Sequence, residues 1–303
     1  MLSLHTNAAA LSTQTALGNT QHSLSISQTR LGTGYRINSA SDDAAGLQIA
    51  TRLGAQVSGM AIAMQNTQND SSMLQTGEGA LSEVTNILTR MKDLATQSAD
   101  ASSTATDQTA MQQEYDSLGR ELNNIMTNTN YGGQALLMGT KTGTGAANTA
   151  TAGAGTFGAT AITFQIGSSA AETMSFDATK TMGSVDADLQ AVSATYKTPA
   201  AATLGTELTG GGANAAIGAL NTALADVGTL NSAFGAAANS LGHVYNNLQS
   251  ESNNVTAAKG RIMDVDYASE SSNMTTNQML MQSGMAMLKQ SNSMSGMIMS
   301  LLQ

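Results

Sequence analysis

The chain has no cysteine. Disulfides, thiol nucleophiles and thiolate metal sites are therefore excluded. It has no tryptophan, only ten aromatic residues, and a single proline, Pro199. Few aromatics argue against a large aromatic-anchored core, and the scarcity of proline favours long uninterrupted helices. Leu, Ile, Val and Phe together make up about 17% of the 303 residues, below the ~20% usual for a packed globular chain. Charge is scarce too, at 11% of residues, and twelve basic side chains stand against twenty-one acidic ones. No basic footprint for nucleic acid results. No apolar run approaches the ~20 residues that span a bilayer, so no membrane insertion is expected. Residues 1–20 carry neither a basic start nor an apolar block, so no cleaved secretory signal is expected.

Nineteen methionines, thirty glycines and abundant Ala, Ser, Thr, Asn and Gln fill the composition instead. Methionine supplies part of the missing apolar bulk. Hydrophobic spacing is the strongest pattern. Leu220, Val227, Phe234, Leu241, Leu248 and Val255, then Ile262, recur every seven residues and predict a coiled-coil seam on one long helix. Ile217, Leu224, Asn231, Ala238, Tyr245 and Ser252 would supply its second row. A second long helix is predicted from about 44 to 97, with Met60, Thr67, Leu74, Leu81, Leu88 and Ala95 in one row and Val84 and Met91 beside it. A third is predicted over about 107–128, with Met111, Leu118 and Ile125 in one row and Tyr115 and Leu122 in the other. Residues 98–106 read as a Ser/Thr/Ala/Asp turn.

Both ends lack charge. Arg30 is the only formal charge in residues 1–31 and Lys289 the only one in residues 271–303. Both ends keep helical spacing: Leu4, Leu11, Leu17, Leu24 and Leu31 at the start, and Met274, Met281, Met285, Leu288, Met299 and Leu302 at the finish. A helix lying on a watery surface normally shows a charged outer face. Frayed termini would be one account; outer faces covered by other protein would be another. That two distant segments share the feature favours the second.

Residues 139–212 are rich in Gly, Thr and Ala and read as a short, loop-rich β insert. Ile162, Phe164 and Ile166 alternate along a strand, with Met174–Phe176 as its hairpin partner. The simplest packing is a mainly α, long antiparallel helical rod, with terminal coiled-coil helices and a small β-hairpin region.

No catalytic constellation emerges. Asp42–Asp43 read as helix capping, with Ser41 or Ser39 as N-cap and the acids in the first turn, and Asp264–Asp266 as a turn or cap between helices. His5, His22 and His243 lack metal-ligand spacing, and no phosphate loop or nucleophile elbow is present. No cofactor and no metal are expected, and the chain does not read as an enzyme. Gly228, Gly235 and Gly242, seven apart, reflect either close approach of a neighbouring helix or the abundance of glycine alone.

The segments Arg30–Leu31–Gly32–Thr33–Gly34–Tyr35–Arg36–Ile37–Asn38–Ser39–Ala40, Asp42–Leu47, Gln75–Leu81 and Asn130–Gly133 resemble bacterial flagellin, the filament subunit of the flagellum. So do Asn246–Leu248, Ala257–Ala268 and Ser300–Leu302, and Ile162–Gly167 looks like the hairpin of the family's rod domain. The short length and Met-rich ends look like the lateral-flagellum type. The resemblance implies an inner-tube helix over 1–40, the first half of a helical rod domain over 41–138, a hairpin and short variable insert over 139–212, the second half of the rod over 213–262 and a second inner-tube helix over 263–303. Outer domains would be absent or reduced to a stub near Tyr196–Gly212.

The resemblance also implies a homo-oligomer, a helical filament of many copies that serves motility. The subunit would be exported unfolded and without a cleaved signal to an extracellular location, with an export chaperone, junction and cap proteins as partners. A hook–filament junction protein or another secreted helical rod is the alternative. Arg90, Leu94 and Glu114 match positions through which some flagellins meet an innate immune receptor, though Thr89 stands where glutamine is usual. Ser295 stands where flagellins often have proline.

Overall fold

A computed structural model describes residues 7–138, 155–199 and 204–301, with side chains as far as Met294. It is mainly helical. The elements run α1 (Ala8–Thr33), α2 (Ala44–Ser98), α3 (Ala105–Asn128), β1 (Asn130–Tyr131), β2 (Gln134–Ala135), α4 (Thr156–Ala159), β3 (Ile162–Gln165), β4 (Thr173–Phe176), α5 (Thr179–Val192), α6 (Ala194–Lys197), α7 (Ala213–Met263) and α8 (Tyr267–Leu301). The chain divides into two compact units. One comprises Met1–Val57 with Ser252–Gln303, the other Ser58–Glu251.

The central unit holds the main core. On α2, Met60, Thr67, Leu74, Leu81, Leu88 and Ala95 are all buried, as are Val84 and Met91. On α7, Leu220, Val227, Phe234, Leu241 and Leu248 are buried. Val255 is only half-buried and falls in the other unit. The second row on α7 differs from the expected one. Ala216, Ala223, Leu230 and Ala237 are buried, while Ile217, Leu224, Asn231 and Ala238 are half-exposed. Three-residue steps from the seam thus face inward where four-residue steps were expected. Gly77 on α2 leaves room for two rings of the core. A Cβ at this position would lie 2.7 Å from the Phe234 ring and 3.4 Å from Phe157.

Aromatic residues are few but not scattered. Phe157, Phe176 and Phe234 meet edge to face, with centroids 4.6, 5.3 and 5.9 Å apart. Such geometry adds about 0.5–1.5 kcal/mol per pair to simple burial. β3 and β4 form the expected antiparallel hairpin, with Ile162 opposite Phe176 and Phe164 opposite Met174. It sets Phe164 and Phe176 into the core.

The Gly/Thr-rich region is not all loop. It contains α5, whose Met182, Val185, Leu189 and Val192 are buried at three- and four-residue steps. Nor is the described part of Tyr196–Gly212 a peripheral stub. Tyr196 and Leu208 are fully buried. The Tyr196 hydroxyl donates to Asp186 Oδ1 at 3.0 Å, and Asn123 Nδ2 donates to the Tyr196 carbonyl at 3.0 Å. Gln112 Nε2 bridges Asp116 Oδ1 (2.8 Å) and Glu207 Oε2 (2.7 Å). Its own Oε1 accepts the Leu208 amide at 2.7 Å. Polar side chains on α3 therefore satisfy backbone groups of this irregular segment, which leaves them few unmet partners inside the fold.

The helix starts follow capping rules, with one correction. Thr104 and Asp107 form a reciprocal capping box at α3, and Asp266 caps α8 through the Ala268 and Ser269 amides. At α2 the cap is Asp43, whose Oδ1 accepts the Gly46 amide at 2.8 Å. It is neither Ser39 nor Ser41, and no acid lies in the first turn. Both serines are held in the preceding loop instead, where Asp42 accepts from the Asn38 and Ser39 amides and the Ser39 hydroxyl, which pairs with that of Ser41. Those bonds keep the Asp42 carboxyl below its ordinary pKa. Nothing approaches within 4 Å of a Cβ placed at Gly228, Gly235 or Gly242. Among the described residues, no helix makes the close contact that their spacing suggested.

Candidate interface on the terminal helix pair

The terminal unit is built on α1 and α8. The two run antiparallel. Asn7 bonds to Ser291, Leu17 packs at Gly284, where a Cβ would lie 3.2 Å away, and Arg30 meets Glu270 at 3.7 Å. Along the pair lie Leu17, Leu24 and Leu31 on α1, and Met274, Met281 and Leu288 on α8. Leu24 is buried and the other five are half-buried. Both rows step by seven, the repeat of a coiled-coil seam.

A knot of backbone bonds fixes the far end of the pair. Gly34 ends α1 in a left-handed conformation, φ +77°, which glycine adopts without strain. Its carbonyl accepts the Val265 amide at 3.0 Å, and the Arg36 amide donates to Met263 O at 2.6 Å. Tyr35 and Asp264 bridge as antiparallel β residues. The Arg36 guanidinium caps the end of α7 by donating to Ile262 O at 2.8 Å, and Ile37 is buried beneath. The stretch Gly34–Tyr35–Arg36 thus ties the α1–α2 link to the α7–α8 link. Asp266, at that turn, has its carboxyl held below the usual value by the Ser269 hydroxyl and amide and the Ala268 amide.

The remaining surface of the pair is the unusual part. Leu11, Met279, Leu280, Met285, Met287 and Met294 are each at least half exposed. A shallow groove of about 340 Å³ runs between the helices, with Thr13, Leu17, Leu280, Gly284 and Met287 among its walls. Hydroxyls are plentiful, yet most are already satisfied. Thr13, Thr15, Thr20 and Thr29 on α1, and Thr275 and Thr276 on α8, donate to the carbonyl four residues back at 2.8–3.1 Å. Back-bonded hydroxyls of this kind need little from water. Covering them with protein therefore carries a small desolvation penalty.

Of the remaining expected site residues, Leu11 and Met285 face away from the seam and are exposed. Leu4 and Leu302 lie outside the described residues, as does the Met299 side chain. Arg90 and Glu114 meet through two bonds of 2.9 and 2.7 Å from the guanidinium to one carboxylate oxygen, and both stay half-exposed. Leu94 is 3% exposed and presents no side chain to a partner. Spacing alone did not reveal Gly34, Tyr35 and Arg36 as the tie between the two helix links. Among the described residues, no group of three or more His, Cys, Asp or Glu is placed to hold a metal. No described helix is long and apolar enough to cross a membrane.

The architecture defines a class: a mainly helical protein whose distinctive surface is a paired, charge-poor set of terminal helices. Residues 4–142 match the bacterial flagellin N-terminal helical region and residues 217–302 the C-terminal helical region, together most of the chain. The chain belongs to the bacterial flagellin family, a family of structural proteins and not of enzymes. It is 48% identical to polar flagellin F of Vibrio parahaemolyticus over 138 residues, 46% of this chain and 37% of that one. Against the B-type flagellin of Pseudomonas aeruginosa it is 44% identical over 173 residues, 57% of this chain and 32% of that one. The chain thus spans about a third of the length of these curated relatives. In fold it is similar to a putative flagellar hook-associated protein from Vibrio parahaemolyticus, with a TM-score of 0.53 at 20% identity over 74% of this chain and 100% of that one.

Proposed function

We propose that the chain is a structural subunit of the bacterial flagellar filament, which polymerises by burying the outer faces of α1 and α8 against other copies of itself. One observation carries this reading. Six exposed apolar side chains lie on α1 and α8, helices with almost no charge, and most described hydroxyls of these helices are bonded internally. Covering the exposed part of each such side chain stabilises by about 1 kcal/mol. Association of two proteins costs about 4–15 kcal/mol in lost freedom. A single pairwise contact therefore gains little, and a lattice in which each copy has several neighbours gains much more. Head-to-tail contacts that do not close give a helical filament.

Export without a cleaved signal, an extracellular location and a role in motility follow from this reading. So do contacts with an export chaperone and with junction and cap proteins. Arg90 and Glu114 are the exposed side chains that would meet an innate immune receptor. A hook–filament junction protein is the competing assignment. Sedimentation at increasing concentration separates the two, because a junction protein stays small where a filament subunit pellets. Deleting residues 1–31 and 271–303 tests the mechanism. Electron microscopy of the truncated chain is expected to show no filaments, and filaments of ordinary appearance would refute the reading.

A further inference from the structure

Methionine is distributed unevenly over this chain. Met60, Met91, Met126, Met138 and Met182 are buried. Among the described residues, the exposed methionines are Met279, Met285, Met287 and Met294, and all four lie on α8; the other described methionines are buried or half-buried. The chain has no cysteine, so thioethers are its only sulfur. Met287 and Met294 continue a seven-residue step from Leu280, and Leu280 and Met287 both line the groove beside α1.

We propose that these four methionines form an oxidation-sensitive patch, modified by hydrogen peroxide or an organic hydroperoxide, and that their conversion to sulfoxides blocks assembly of the subunit. The proposal rests on the assembly reading above. In the reaction the thioether sulfur attacks one peroxide oxygen. The S–O bond forms as the O–O bond breaks, and the other oxygen leaves as water, or as an alcohol from an organic hydroperoxide. Sulfur is oxidised by two electrons and the peroxide is reduced by two. Exposure decides which thioethers react first. The product is a polar sulfoxide where the thioether was apolar. Covering its oxygen removes the water hydrogen bonds that it would otherwise accept, and the Thr275 and Thr276 hydroxyls of the same helix already donate to their own backbone. Reaction is confined to subunits not yet assembled, since the polymer would cover the same side chains.

The full-length chain, monomeric and treated with hydrogen peroxide, provides the test. Peptide mass spectrometry is expected to find sulfoxide at Met279, Met285, Met287 and Met294 before Met60, Met91, Met126, Met138 or Met182. The treated chain is expected to need at least about tenfold more protein to form sedimentable polymer, and methionine sulfoxide reductases are expected to restore the original threshold. Polymer treated in the same way is expected to be protected at the four positions. A chain carrying M279L, M285L, M287L and M294L is expected to assemble and to keep its threshold after peroxide; if it does not assemble untreated, the reductase rescue of the natural chain decides. Equal oxidation of the buried methionines, or an unchanged threshold after oxidation of the four, overturns the inference while assembly of the untreated chain stands. Failure of the untreated chain to assemble overturns the assembly reading and this inference with it.

Discussion

Leu280→Lys separates the stability of the subunit from its capacity to assemble. Leu280 is 53% exposed, on the wall of the groove between α1 and α8. In the free chain a lysine there can keep its ammonium in water while its stem covers the same surface. The loss is limited to part of one leucine's burial, about 1 kcal/mol. In the polymer the lysine would be surrounded by copies of α1 and α8. Residues 1–31 contain no carboxylate, and residues 271–303 contain none either. Glu270 sits at the start of α8, already paired with Arg30. A neighbouring copy therefore brings no counter-charge, and a buried charge without a partner costs about 3–5 kcal/mol. At about 1.4 kcal/mol per factor of ten, the threshold for polymerisation should rise by about a hundredfold to a few thousandfold. Circular dichroism melting would establish that the variant is folded, and sedimentation would read the threshold. A folded variant that polymerises at the same concentration as the natural chain refutes the reasoning; Leu280→Met, which keeps the side chain apolar, should assemble normally.

Phe234→Ala removes the ring that packs against both Phe157 and Phe176, and should destabilise the central unit by about 3–5 kcal/mol in urea titrations; a loss below about 1 kcal/mol would contradict the role given to the cluster. Gly34→Ala places a Cβ at φ +77°, 2.9 Å from the Tyr267 hydroxyl, and should cost about 1–2 kcal/mol, visible as faster amide exchange at Val265 and Arg36. Burial raises the Asp70 carboxyl from 3.8 to about 6. The folded state therefore holds that proton more tightly than the unfolded one, and the associated stability is full below about pH 3.8 and lost as pH rises through about 6. Asp70→Asn should thus stabilise the chain at pH 7 and make no difference near pH 3; equal melting temperatures at pH 7 would refute this.

Much of the helical framework was legible because it rests on repetition. The rows Met60–Ala95 and Leu220–Leu248 repeat over several heptads, and a helix of fixed pitch converts such a repeat directly into one buried face. The hairpin was legible for a similar reason, from the alternation of Ile162, Phe164 and Ile166. Helix α5 was not. Its row Met182, Val185, Leu189 and Val192 is only four residues long, and the surrounding glycines and threonines outweighed it. The register of the second row on α7 was missed because Ile217 and Leu224 look more like core residues than Ala216 and Ala223. The α2 cap went to Asp43 rather than to a serine because Asp42 recruits those serines into its own loop, a competition that residue types alone do not rank.

At the terminal helices, the absence of charge was legible, and so was the row that forms the seam. The hydroxyl back-bonding that lets such polar helices be covered was not, since it depends on rotamers. Nor was the tie through Gly34, Tyr35 and Arg36, because it joins residues more than 200 positions apart in sequence.

The most direct measurement is an electron cryo-microscopy structure of the polymer formed by the full chain. The account predicts that Leu11, Met279, Leu280, Met285 and Met287 will each lie against α1 or α8 of a neighbouring copy, out of contact with water. A polymer held together elsewhere on the subunit, with these side chains still facing solvent, would contradict it.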